Sequence, residues 1–248
     1  MTRLSRTILL VAVLASTPCA FAQQGVLPDR GFIVVNGGYQ VMSHDFEASS
    51  TFRANVEDAH LATDYEVKGG LAFDVAGGMA LWRRLTVGGG LTRFSRSTPS
   101  TLSGDVPHPF FFNRPRTVTG EVTGLKHEEL AVHVQARVTA PIGSRLQVAA
   151  FGGPSWFQVT QGIVTTFTWN ESYPFDSASF ASAVTERAKG SKLGFNTGAD
   201  VAFFFTRQLG AGGGIQYSSA TVELEAAGNV QEAKAGGVNV GGGLRLRF

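Results

Sequence analysis

Residues 237–248 alternate almost without a break. Val238, Val240, Leu244, Leu246 and Phe248 lie on one side, with Gly242 the one gap, and Gly237, Asn239, Gly241, Gly243, Arg245 and Arg247 on the other. Only a β-strand places every second residue on one face. The second face is the decisive one, because glycine and arginine cannot form the buried side of a soluble protein, which must be bulky and apolar. The apolar face therefore meets something other than a protein core, and lipid is the medium that fits.

Three further segments divide in the same way. Residues 67–81 set Val67, Leu71, Phe73, Val75, Met79 and Leu81 against Lys68, Gly70, Ala72 and Asp74. Residues 129–138 set Leu130, Val132, Val134 and Val138 against Glu129, His133, Gln135 and Arg137. Residues 192–205 set Leu193, Phe195, Val201, Phe203 and Phe205 against Lys192, Gly194, Asn196, Gly198 and Asp200. Weaker alternation runs through 31–41, 84–94, 145–159 and 209–221, which brings the count to eight strands. Parity is lost in 145–159 at Gly152-Gly153-Pro154, where a bulge is expected.

Past the first 22 residues no stretch approaches the eighteen or so apolar residues of a spanning helix. A closed barrel is the other structure that satisfies its own backbone in lipid. The strands are joined tightly at 82–84, 141–145 and 206–208 and by longer segments at 42–64, 96–126, 160–191 and 223–234. The expectation is all-β: an eight-stranded antiparallel up-and-down transmembrane β-barrel with short periplasmic turns and long extracellular loops. The ten steps from Val238 to Phe248, at ~3.3 Å each and a tilt of ~40°, rise ~25 Å, the height of a lipid-facing band.

Arg3 and Arg6, an apolar run from Ile8 to Ala15 and the triplet Ala20-Phe21-Ala22 read as a secretory signal peptide over 1–22. A linker over 23–30 and the barrel over 31–248 follow. Cys19, the one cysteine, falls inside the signal, where Pro18 argues against lipidation. The mature chain then depends on no disulfide. Without Arg3 and Arg6 the 21 basic residues become 19, equal to the 19 acidic ones, so the charge balance gives no reason to expect nucleic acid.

With this pattern and the ending Leu244-Arg245-Leu246-Arg247-Phe248, the chain resembles the small eight-stranded outer-membrane barrels of the OmpA transmembrane domain, OmpX and OmpW type. The resemblance implies a Gram-negative type of outer membrane reached through the periplasm, contact with lipid and lipopolysaccharide, and recognition of the last strand by the barrel-assembly machinery. With the sequence stopping at Phe248, a counterpart of the OmpA family's periplasmic peptidoglycan-binding domain is not expected.

Inside the barrel, Lys68, Asp74, Glu129, His133, Arg137, Lys192, Asp200 and Arg245 are expected to form a lumen network, since an unpaired buried charge is costly. Arg137 and Arg245, at similar heights, are expected to meet Asp200 and Asp74. Aromatics should gather at both lipid boundaries, with Trp82, Phe203, Phe205 and Phe248 on the periplasmic side and Tyr39, Tyr65, Trp156 and Tyr217 on the outer side. Phe110, Phe111 and Phe112 form an apolar cluster in a long loop, suited to packing the loops together or to touching a partner. The strands carry no nucleophile with a base on the lipid face, and no metal or cofactor motif has usable spacing. The function expected is a non-enzymatic platform presenting long loops to a partner whose identity is unknown. The alternatives are a narrow conduit for small or apolar solutes and, with less support, a soluble ligand-binding barrel.

Overall fold

The computed structural model describes residues 30–41, 44–226 and 229–248, and the expected signal peptide lies outside them. Ten strands follow one another: β1 (Gly31–Gln40), β2 (His44–Ala54), β3 (Glu57–Val67), β4 (Gly70–Ala80), β5 (Leu85–Val106), β6 (Arg116–Ile142), β7 (Leu146–Glu171), β8 (Ala178–Phe204), β9 (Leu209–Ala226) and β10 (Asn229–Arg247). Eight of them close a ring in the order β1-β4-β5-β6-β7-β8-β9-β10, every pairing antiparallel. The closing seam pairs Val35 with Leu244 on one side and with Val75 on the other. The closure leaves neither β1 nor the lower part of β10 with a free edge.

The remaining two strands, β2 and β3, form a hairpin in the first long connection. β5 changes neighbour along its length: residues 86–94 pair with β4, and residues 100–105 pair with β3. The hairpin leans over the mouth of the ring, where Ser50 Oγ donates to the Thr165 carbonyl of β7 at 3.1 Å and Phe52 meets the Phe167 ring edge-on at 5.6 Å.

Each long strand reverses its polarity part way up. On β6, Leu130, Val132, Val134 and Val138 are exposed while Ala131, His133, Gln135 and Arg137 are buried. Above Glu128 the faces exchange character: Lys126 and Glu121 are exposed, and Leu125 and Val118 are buried. β8 does the same, with Leu193, Phe195, Val201 and Phe203 outward below and Lys189, Arg187 and Thr185 outward above. The lower half thus has a lipid-facing exterior, and the upper half is organised like a water-soluble β-protein, with Leu102, Val106, Phe157, Val159, Phe167, Val222 and Leu224 packed in its interior. An apolar belt of this extent on a ring of strands is covered by lipid.

Four sequence expectations are corrected. The segments 42–64, 96–126, 160–191 and 223–234 are mostly strand, because their alternation is real but inverted, apolar side inward. Among the described residues their tips are short, at 107–115 and 172–177. Gly152-Gly153-Pro154 holds no bulge: β6–β7 pairing is in one register from His133↔Ser155 to Ala136↔Gly152, and only the pairs opposite Gly153 and Pro154 are missing. Proline has no N–H to offer the ladder. Residues 67–81 are two strands, and Val67 faces inward at 3% exposure. Gly69 sits between them, because a Cβ there would lie 2.4 Å from the Gln40 carbonyl oxygen.

Val240→Arg, on the belt, should lower the stability of the barrel refolded in lipid by ~2–4 kcal/mol. Thr221→Arg, on the outer face of β9 above the belt, should change it by no more than about 0.5 kcal/mol. Denaturant unfolding of the two variants checks the boundary, and equal losses would place lipid where the structure puts water.

Candidate functional site

The lumen of the lower half is polar and is crossed by a network of side chains. Arg137 on β6 donates from Nη2 to Asp200 Oδ1 on β8 at 2.7 Å. Arg245 on β10 reaches the same carboxylate, with Nε 3.1 Å from Oδ2 and Nη2 bonded beside it. Asp200 is 4% exposed and Arg245 2%. Two forked guanidiniums on one carboxylate satisfy both of its oxygens. The Arg137 guanidinium also lies over the Phe32 ring at 4.9 Å and the Phe151 ring at 5.7 Å, contacts favourable to a desolvated cation.

From this centre hydrogen bonds continue around the ring. Arg245 Nη1 donates to Asn36 Oδ1 at 2.6 Å, and Asn36 Nδ2 donates to Asp74 Oδ1 at 3.2 Å. Thr92 Oγ1 donates to Asp74 Oδ2 at 3.1 Å and lies 2.9 Å from His133 Nε2. His133 Nδ1 is 2.7 Å from Ser155 Oγ, which accepts from Asn196 Nδ2 at 2.9 Å. Gln135 closes on Asn196 at 2.9 Å, and Gln216 Nε2 stands 3.4 Å from the His133 ring. Asn36, Asp74, Thr92, His133, Ser155, Asn196, Gln216 and Arg245 sit on β1, β4, β5, β6, β7, β8, β9 and β10 in turn, so the network touches every strand of the ring.

A second tier lies above it. Glu129 Oε1 is 2.7 Å from His127 Nε2, and its other oxygen accepts the Gly236 amide at 2.8 Å. Gln40 donates to the Gly236 carbonyl at 2.8 Å, and His127 Nδ1 lies 2.6 Å from Gln161. Gly236 has φ +89°, and a Cβ on it would run into Ser218, which is why a glycine stands there.

Of the expected lumen residues, Asp74, Glu129, His133, Arg137, Asp200 and Arg245 therefore face the interior. Lys68 and Lys192 do not. Lys68 follows the end of β3, where the parity changes, and pairs at 3.2 Å with the exposed Glu66. Lys192 lies where the β8–β9 ladder is open between Lys189↔Glu225 and Phe195↔Ser219, and it bonds the outer Glu223 at 2.6 Å. That hydrogen bond holds the Glu223 carboxyl below its ordinary range and the Lys192 ammonium above its own.

Among the expected boundary aromatics, Trp82, Phe203, Phe205 and Phe248 are exposed near the tight turns, and Tyr39, Trp156 and Tyr217 are exposed toward the top of the belt. Tyr65 is a correction. It is 2% exposed inside the upper half, stacked on Phe46 at 4.8 Å, and its hydroxyl accepts the Val164 amide at 2.7 Å. Burial pushes its phenol upward. Phe110, Phe111 and Phe112 project from the β5–β6 tip at 52–70% exposure. His108 Nδ1 accepts the Phe110 amide at 3.1 Å, and the Phe110 ring meets Phe175 of the β7–β8 tip at 5.4 Å. Buried Arg116 joins the same two tips, bonding the Phe175 and Pro107 carbonyls and Glu171 at 2.6 Å.

Sequence reasoning through charge alone missed Asn36, Thr92, Ser155, Asn196 and Gln216. Their signal was parity, since each lies on the face opposite the apolar residues of its strand.

No protein-family model matches the chain, and no curated protein matches it. Among solved structures, the outer membrane protein OprG from Pseudomonas aeruginosa aligns over 89% of this chain and 97% of its own, with TM-score 0.45 and 11% identity. Neisserial surface protein A aligns over 88% and 97%, at TM-score 0.38 and 14% identity. Ail, the attachment invasion locus protein of Yersinia pestis, aligns over 88% and 99%, at 0.36 and 11%. At these scores the likeness is to a barrel outline, and the closed ring of pairings is what defines the fold.

Asp200→Ala leaves two buried arginines without their carboxylate and should cost about 3–5 kcal/mol of unfolding free energy in detergent. The truncation of exposed Glu223 to alanine on the outer wall should be nearly silent in the same measurement. An Asp200→Ala barrel as stable as its parent would mean that water already solvates the pair.

Proposed function

We propose that this chain is a non-enzymatic integral protein of a Gram-negative type of outer membrane, a filled barrel that holds a rigid β-extension above the lipid and presents its tips outward. The carrying observation is that both halves of the interior are occupied: below by the ring-wide network around Asp200, above by the apolar cluster around Phe157, Phe167 and Leu102. The β2–β3 hairpin lies across the outer mouth as well. A conduit needs a continuous open path, and an eight-stranded ring has room for little besides its own side chains.

The non-enzymatic reading draws support from the lumen histidine. Ser155, His133, Thr92 and Asp74 are linked in sequence, which superficially resembles a nucleophile with its base. The carboxylate, however, is separated from the imidazole by a hydroxyl, Ser155 is 2% exposed, and the adjoining cavity of about 50 Å³ is lined by Asp74 and Thr92 but not by Ser155. A nucleophile that no substrate can reach serves the packing.

In this reading lipid and lipopolysaccharide surround the belt, the barrel-assembly machinery reads the last strand, and the outer partner meets the tips. The tips offer Phe110, Phe111, Phe112 and Tyr173, the last 87% exposed, on a scaffold fixed by Arg116. The second reading, a narrow conduit for small or apolar solutes, is favoured by the open stretch of the β8–β9 ladder at 190–194. Planar-bilayer recording of the refolded protein separates the two: the filled barrel should give no resolvable unitary steps, and steady single-channel conductance would sink the platform in favour of the conduit.

A further inference from the structure

The charges of the chain are sorted along the barrel axis. All five lysines lie in the upper half, at Lys68, Lys126, Lys189, Lys192 and Lys234. At the tight-turn end the cations are arginines without exception. Arg30, Arg83, Arg84, Arg145, Arg207 and Arg247 surround that mouth, with Arg137 and Arg245 deeper inside. Among the described residues the acidic side chains of the lower lumen are Asp200 and Asp74, and none stands at the mouth itself.

This end opens into a vestibule of about 220 Å³. Arg83, Arg84, Arg137, Arg245 and Arg247 line it, with Phe32 and Phe204 as apolar walls, and no carboxylate side chain takes part in the lining. Asp200 instead lines the smaller cavity on the far side of its two arginines. Arg247 is placed by its own contacts, its Nε donating to the Arg207 carbonyl at 2.7 Å and its guanidinium lying 3.9 Å from the Phe204 ring centre. A pocket walled by one sign of charge against low-dielectric surroundings focuses its field on an entering counter-ion. The exclusive use of arginine narrows the chemistry, because the planar fork matches the paired oxygens of a phosphate where an ammonium supplies only a point charge. The volume suits a headgroup-sized anion and is below that of a drug-sized site.

We propose that the tight-turn vestibule is a binding site for a phosphate group, carried by a soluble phosphorylated anion or by an anionic phospholipid of the leaflet that this mouth adjoins. The lipid source rests on the membrane reading above, and the phosphate chemistry does not. Aromatic residues beside the arginines, Trp82 before Arg83 and Phe205 near Arg207, hold this mouth at headgroup level.

The test uses the folded barrel in a sugar detergent and phosphate-free buffer of low ionic strength, titrated calorimetrically with inorganic phosphate and with glycerol 3-phosphate. In a second arm, nanodiscs of phosphatidylcholine with or without phosphatidylglycerol are stripped with detergent, and the lipid retained on the protein is measured. The variant is Arg83→Ala/Arg84→Ala. Its turn is held by backbone bonds that the substitution leaves in place, Leu81 N–H to the Leu85 carbonyl at 2.8 Å and Thr139 N–H to the Arg84 carbonyl at 2.9 Å. Arg93→Ala, in the upper ion pair with Glu128, is the control. Saturable phosphate binding that weakens about tenfold or more in the double variant and not in the control supports a soluble source. Selective retention of phosphatidylglycerol, lost in the double variant, supports the lipid source. The Arg83→Lys/Arg84→Lys protein, with charge but no fork, should recover only part of the binding. No binding in either arm, or binding indifferent to the double variant, overturns the site. Failure of the barrel to enter lipid would refute the membrane reading while leaving the detergent titration intact.

Discussion

Backbone hydrogen bonding in lipid is the constraint from which the rest of this structure follows. An N–H or C=O facing hydrocarbon without a partner costs several kcal/mol, so the sheet has to close on itself. Closure occurs at β1, which finds β10 on one edge and β4 on the other, and it fixes the ring at eight strands. A ring of that size leaves an interior only as wide as its side chains. The inward residues must therefore pack or pair with one another.

The two halves solve that problem with opposite chemistry. Below, the exterior takes the bulky apolar residues and the interior is polar, so its groups are satisfied by a network running through Asp200, Asp74 and His133. Above, water replaces lipid outside, polar residues take the outer face, and Phe157, Phe167 and Leu224 fill the interior. The reversal occurs at similar height on neighbouring strands, between Leu91 and Arg93 on β5 and between Leu130 and Glu128 on β6. Arg93 and Glu128 come within 3.8 Å there, at the upper rim of the belt. The upper barrel is therefore a rigid stalk, and the aromatic tips stand on a framework of ladders.

Parity alone marks the lipid-facing residues of the lower strands, because a period of two cannot be shared with any other element and the small, polar side of each strand could not be a soluble core. Val238 to Phe248 and Leu193 to Phe205 carry that information without help from the rest of the chain. The same parity already placed Asp74, His133, Arg137, Asp200 and Arg245 inward, and their heights brought Asp200 between two arginines. The alternation of Ala59, Leu61, Thr63, Tyr65 and Val67 was equally present, but it has its apolar side inward. Such a pattern reads as loop when only lipid-facing strands are sought. Other features depend on neighbours distant in the chain and come from the folded molecule alone. The chain changes strand at Lys68 and Gly69 because Gln40 crowds that point, and Lys192 turns to Glu223 because the adjoining ladder is open. Tyr65 goes inside because the hairpin carrying it folds over the mouth, and the five arginines of the vestibule converge because the β4–β5 turn, β6 and β10 meet at one end of a ring.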